Sequence, residues 1–167
     1  MSTKRRRLFG RADVLCQVPG RTRFSFERFL HRFGKSEVRE GFVLKGAMLL
    51  RLWSDQPYRA TRDLDLLRRG EGTFDAIQRD LRAICAVPVE PDAVRFDAEA
   101  IRIEAIRAED EYAGTRATLP ARCGKALLSL QIDMGLGDSV WPAPSSCVHP
   151  ALAAMLFRSS ASYSSLT

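Results

Sequence analysis

Phe42-Val-Leu-Lys-Gly-Ala-Met-Leu-Leu50 and, beyond a break at Ser54-Asp-Gln-Pro57, Thr61-Arg-Asp-Leu-Asp-Leu-Leu67 decide the reading of this chain. Phe42-Val43-Leu44 is a short apolar run between Gly41 and Gly46, which predicts a buried strand. From Ala47 to Trp53 the apolar side chains crowd closer, as Met48, Leu49, Leu50, Leu52 and Trp53, which suits a helix of about two turns. Thr61 to Leu67 alternates: Leu64 and Leu66 point one way, Asp63 and Asp65 the other. Leu64, Leu66 and Leu67 are expected to bury the face opposite the acids, making the strand internal.

Outward from this centre the pattern continues on both sides. Upstream, Phe26, Phe29, Leu30 and Phe33 form one face of a helix, with Gly34 placed to end it. Downstream, Thr73 to Ile84 predicts a second amphipathic helix, with Thr73 as N-cap and Phe74, Ile77, Leu81 and Ile84 inward. Then alternation takes over, through Val94 and Phe96, Ile101, Ile103 and Ala105, Thr115, Ala117 and Leu119, and Leu128, Leu130, Ile132 and Met134. The order helix, strand, helix, strand, helix, then a strand meander predicts an α+β (mixed α/β) domain: a mixed sheet flanked by helices. Residues 1–23 read as a basic N-terminal arm, 24–145 as the core domain and 146–167 as an atypical, serine-rich tail too poor in apolar surface to order well.

At 167 residues the chain is sized for one core domain, and its 46% hydrophobic and 28% charged content excludes collagen-like, low-complexity and wholly disordered classes. No apolar run is long enough to span a membrane. The formal charge is +6, carried by 22 Arg and 4 Lys against 20 acids. That balance fits an anionic partner such as RNA or nucleotide phosphate, and it equally fits an arginine-heavy genome. Four cysteines without a C-x-x-C spacing and two histidines exclude an ordinary structural zinc site. Unpaired cysteines and the absence of a signal peptide point to the cytoplasm.

The chemistry lies in the acids. Asp63 and Asp65 on one strand face stand about 6.5–7 Å apart at their Cα atoms. Carboxylates so placed repel unless a cation lies between them, and Mg²⁺ takes hard oxygen ligands while keeping positions open for phosphate. At Lys45-Gly46 a strand gives way to a helix, and a glycine there lets backbone N–H groups approach a polyphosphate. A third carboxylate is expected from a neighbouring strand. Along Leu127–Met134 the even positions form the buried stripe, which puts Ser129, Gln131 and Asp133 on the other face. Asp133 before Gly135 also fits a turn-capping role. Arg59 and Arg62 flank the acidic pair, either as phosphate contacts or as offsets to the acids. The direction of Arg116 is open.

Lys45-Gly46 at a strand-to-helix turn, Asp63-Leu-Asp65 and a later strand aspartate together resemble the nucleotidyltransferases related to DNA polymerase β. More closely, Phe42–Met48, Thr61–Leu67, Tyr112-Ala-Gly-Thr-Arg116 and Leu130-Gln-Ile-Asp-Met-Gly-Leu-Gly-Asp138 resemble the AbiEii/AbiGii toxin family of bacterial toxin–antitoxin and phage-defence systems. The resemblance implies a nucleotidyltransferase-like fold and transfer of a nucleoside monophosphate from an NTP to an RNA acceptor, including the 3′ end of tRNA. It implies a two-metal Mg²⁺ site on Asp63 and Asp65, with Asp133 sharing the ion that activates the acceptor hydroxyl. It assigns the triphosphate to the backbone around Gly46 and Ala47, with Lys45 adding charge if its side chain, on a strand, points into the site and not away from it, and it implies a cognate antitoxin. Relatives carry a further helical half. The chain is therefore read as C-terminally truncated, the alternative being a non-catalytic remnant that binds nucleotide, RNA or antitoxin.

Overall fold

The structure, a computed structural model, describes residues 20–46, 48, 63–106, 114–137, 145–148 and 156–159. The expected helix over Ala47–Trp53 (Met48 apart), Ala47 itself, Arg59, Arg62, Tyr112 and the N-terminal arm up to residue 19 lie outside the described residues. So does most of the tail.

Helix α1 (Arg21–Lys35) buries Phe26, Phe29, Leu30 and Phe33, the stripe its spacing predicted. Gly34 does not end it. The helix runs to Lys35, and the Ser36 hydroxyl donates to the Phe33 carbonyl at 2.7 Å. A side chain thus serves one of the orphan carbonyls, and no left-handed glycine is needed there. A short 3₁₀ turn, Glu37–Gly41, leads into β1 (Phe42–Lys45). Strand β2 (Asp63–Arg68) and helix α2 (Phe74–Ala86) follow. Thr73 caps α2, its hydroxyl accepting from the Ala76 N–H. Phe74 departs from expectation: at 47% exposure it stands out in the first turn, while Ile77, Leu81 and Ile84 face the core.

The remaining strands are β3 (Val94–Phe96), β4 (Arg102–Ile106), β5 (Gly114–Cys123), β6 (Ala126–Leu136), β7 (Ser145–Val148) and β8 (Leu156–Ser159). With β1 and β2 they form one mixed sheet in the order β3-β5-β6-β2-β1-β8-β7, with β4 also on β5. The meander expected after α2 is modified. β3 and β4 do not pair with each other but share one edge of the longer β5, and β6 turns back to lie parallel to β2. The class is therefore mixed α+β, consistent with a nucleotidyltransferase-like fold.

One apolar cluster joins both helices to one side of the sheet: Phe26, Phe29 and Leu30 of α1 and Ile77, Leu81 and Ile84 of α2 meet Leu64, Leu66, Ala117, Leu119, Leu130, Ile132 and Met134. Two buried ion pairs pin the helices down. Arg32 of α1 forks onto Asp92 at 2.8 and 3.1 Å and lies over the Phe96 ring. Arg68 at the end of β2 pairs with Asp80 of α2 at 2.8 Å. Part of the arginine excess is thus spent on architecture. Leu67 is buried, but alternation puts it on the side of Asp63 and Asp65, not on the opposite side as the sequence suggested. Cys123 is disulfide-bonded, which corrects the expectation of unpaired cysteines. Cys85 is free, and burial pushes its thiol up to about 12. No helix among the described residues is long and apolar enough to cross a membrane.

Candidate active site

The site is built by strand register. Lys45 on β1 is the partner of Asp65 on β2, Asp65 of Asp133 on β6, Asp133 of Arg116 on β5, and Arg116 of Glu104 on β4. Five side chains of signs +, −, −, +, − therefore form a row straight across the sheet. Alternation puts the row on the face opposite the apolar cluster, because Leu64, Leu66, Ile132, Met134 and Ala117 fill the other side. Asp63 shares this face two residues before Asp65, with Gln131 as its neighbour on β6. The three acids foreseen as a group thus come from two adjacent parallel strands, with Asp65 and Asp133 about 4.8 Å apart across the ladder.

Gly46 closes the row at the end of β1. Its φ is +71°, and a Cβ built on it would overlap the Asp65 carboxylate. Only a glycine lets the chain bend against that carboxylate. Lys45 lines the same cleft as Asp65 and Asp133, so its side chain does not point away. The cleft holds about 160 Å³ and includes Ile106, Gly114 and Gly135 in its wall. That is less than the roughly 300–1,000 Å³ of a site enclosing a whole organic ligand, and it suits an ion or a phosphate group.

The electrostatics separate the acids. Burial first, then the charges of Asp133 and Asp63, raise the Asp65 carboxyl above its ordinary value, while Lys45 acts in the opposite direction. No donor among the described residues bonds Asp65. Asp133 differs: the Arg116 guanidinium grips both of its oxygens, Nε to Oδ1 and Nη2 to Oδ2, each at 2.7 Å. The same hydrogen bonds, with the charges of Asp133, Asp63 and Glu104, raise the Arg116 pKa further. No group of three His, Cys, Asp or Glu side chains among the described residues is arranged to hold a metal ion. As a donor set for a divalent cation, Asp63 and Asp65 fit: they are hard oxygens on one face that no hydrogen bond or close ion pair among the described residues engages. Asp133 is committed to Arg116.

A family model for the nucleotidyl transferase AbiEii toxin of a type IV TA system matches residues 28–162. The chain belongs to that family. No curated protein and no solved structure matches it. The matched AbiEii region contains every residue of the charged row, from Lys45 to Asp133. Sequence reasoning for this AbiEii chain left the direction of Arg116 open and did not consider Glu104. Alternation with Ile103 and Ala105 would have put Glu104 on the polar face, but only the β4–β5 register brings it beside Arg116. Ser129 lies farther along β6, exposed and opposite Pro120. Gln131, beside Asp63, is the better-placed polar neighbour.

Proposed function

We propose that this protein is a Mg²⁺-dependent nucleotidyltransferase that moves a nucleoside monophosphate from an NTP onto an RNA hydroxyl, the 3′ end of tRNA being the acceptor to test first. The observation that carries this reading is the in-register placement of Asp65 beside Asp133, with Asp63 on the same face and the Gly46 bend against Asp65. In the reaction the acceptor oxygen bonds to the α-phosphorus, the bond to the β-phosphate oxygen breaks, pyrophosphate leaves and the hydroxyl proton passes to solvent. Asp63 and Asp65 would hold the cation, and the backbone at Gly46 and the Lys45 ammonium would take the triphosphate. When bound there, the ion offsets the charge that develops on the phosphoryl oxygens. The formal charge of +6 supports an RNA partner. The toxin–antitoxin membership supports a cognate antitoxin, and the use of an NTP is consistent with action in the cytoplasm.

The test is incubation with labelled NTPs, Mg²⁺ and total tRNA. Label should enter RNA, and Asp63→Asn or Asp65→Asn should reduce incorporation by more than the about 10–100-fold that loss of an outer partner of a metal ligand costs. No incorporation from any of the four NTPs, or incorporation indifferent to both substitutions, would overturn the reading. A second reading, nucleotide binding without turnover, is favoured by one observation: both oxygens of Asp133 are already occupied. Calorimetry with NTP and Mg²⁺ separates the two, since binding without product supports the second and product excludes it.

A further inference from the structure

We propose that Arg116 is a positioning residue that takes the place of a second cation, so that the acidic face accepts one divalent ion, on Asp63 and Asp65, rather than two. The inference rests on the reading above and concerns how its metal site is organised.

Three observations carry it. First, the Arg116 fork meets Asp133 at two equal distances of 2.7 Å, the parallel geometry in which a planar guanidinium satisfies both carboxylate oxygens. An ion approaching Asp133 meets the guanidinium charge and two oxygens that each already accept a charge-assisted hydrogen bond. Second, the pairing is fixed by register and not by a flexible reach: Arg116 and Asp133 are directly opposed on the β5–β6 ladder, and Glu104 stands on the far side of Arg116. Third, the charges balance. Asp63, Asp65 and Asp133 carry three negative charges on one face. One divalent ion and one guanidinium neutralise them, and Lys45 and Glu104 stand at opposite ends of the row with opposite charges. Among the described side chains alone, a second divalent ion would leave this face net positive before any phosphate arrived. The buried arginines, Arg32 and Arg68, are tied to Asp92 and Asp80 away from the row. Arg116 is about a third exposed and lies on the polar face beside Asp133.

The experiment counts Mn²⁺ bound to the full chain, without nucleotide, by calorimetry and by electron paramagnetic resonance of the free ion. Wild type should bind one ion, and Asp63→Asn combined with Asp65→Asn should abolish it. Arg116→Gln, which frees Asp133 and removes the guanidinium charge, should bind two. Arg116→Lys, which keeps the charge, should still bind one. A merely structural arginine would change the melting temperature in both variants without adding an ion. Two ions on wild type, two on Arg116→Lys, or one on a folded Arg116→Gln would overturn the proposal while leaving the metal-dependent reading intact. If Arg116→Gln does not fold, the wild-type and Arg116→Lys counts decide. No ion on wild type, or one that survives the double Asn variant, would overturn both.

Discussion

Gly46 and Asp65 constrain one another at the scale of single residues. A side chain at position 46 meets a left-handed backbone, which costs about 1–2 kcal/mol for an L-residue, and then meets the Asp65 carboxylate. Gly46→Ala is therefore expected to lose at least that much stability in urea titrations and to weaken divalent-ion affinity by displacing Asp65. Asp65 itself stores a cost. Its carboxyl ionises at higher pH in the folded chain than in the unfolded one, because of burial and then of Asp133 and Asp63. Its contribution to stability is thus fully present below the ordinary value of 3.8 and is lost as pH rises through the raised one. Asp65→Asn should accordingly raise the melting temperature of the metal-free protein at neutral pH and leave it unchanged in acid below that ordinary value. A melting temperature lowered at neutral pH would contradict the reading of Asp65 as a carboxylate whose ionisation is opposed by burial and by its acidic neighbours.

Among elements, the helices are held by ion pairs of very different worth. Arg32–Asp92, with both side chains under a tenth exposed, joins α1 to the start of β3. Removing one partner leaves an uncompensated buried charge, so Asp92→Ala is expected to cost about 3–5 kcal/mol. Glu99→Ala, at the exposed Arg82–Glu99 contact, should cost less than about 1 kcal/mol. Denaturant midpoints of the two variants check both. This is also the scale at which the sequence was legible. Alternation is local, so the face of Asp63 and Asp65 and that of Asp133 could be read directly, as could the apolar stripes of α1 and α2. What could not be read depends on partners distant in the chain. The direction of Lys45 and the grip of Arg116 on Asp133 follow from which strands lie side by side, and nothing within either strand encodes that. Gly34 and Phe74 misled for a different reason: a helix end is settled by whichever group reaches the last carbonyls or the first turn, and here Ser36 did so while Phe74 stayed outside.

For the whole molecule, the two faces of the sheet divide the work. One face carries the apolar cluster that holds the fold together, and the other carries the charged row. An ion that binds only the folded chain should stabilise it by about 2.7 kcal/mol at a hundredfold excess over its dissociation constant. Thermal melts in Mn²⁺ should therefore shift upward for wild type and not for the Asp63→Asn, Asp65→Asn double variant. The parallel contact of β2 with β6 has a consequence for synthesis. The ribosome releases Asp63 and Asp65 well before it releases Asp133, and α2, β3, β4 and β5 must emerge in between. A nascent chain halted anywhere before β6 carries two of the three acids and no neighbouring strand to complete the group. If the protein acts as we propose, aborted translation products would be inactive, since the acidic face is complete only once the strand bearing Asp133 has been made.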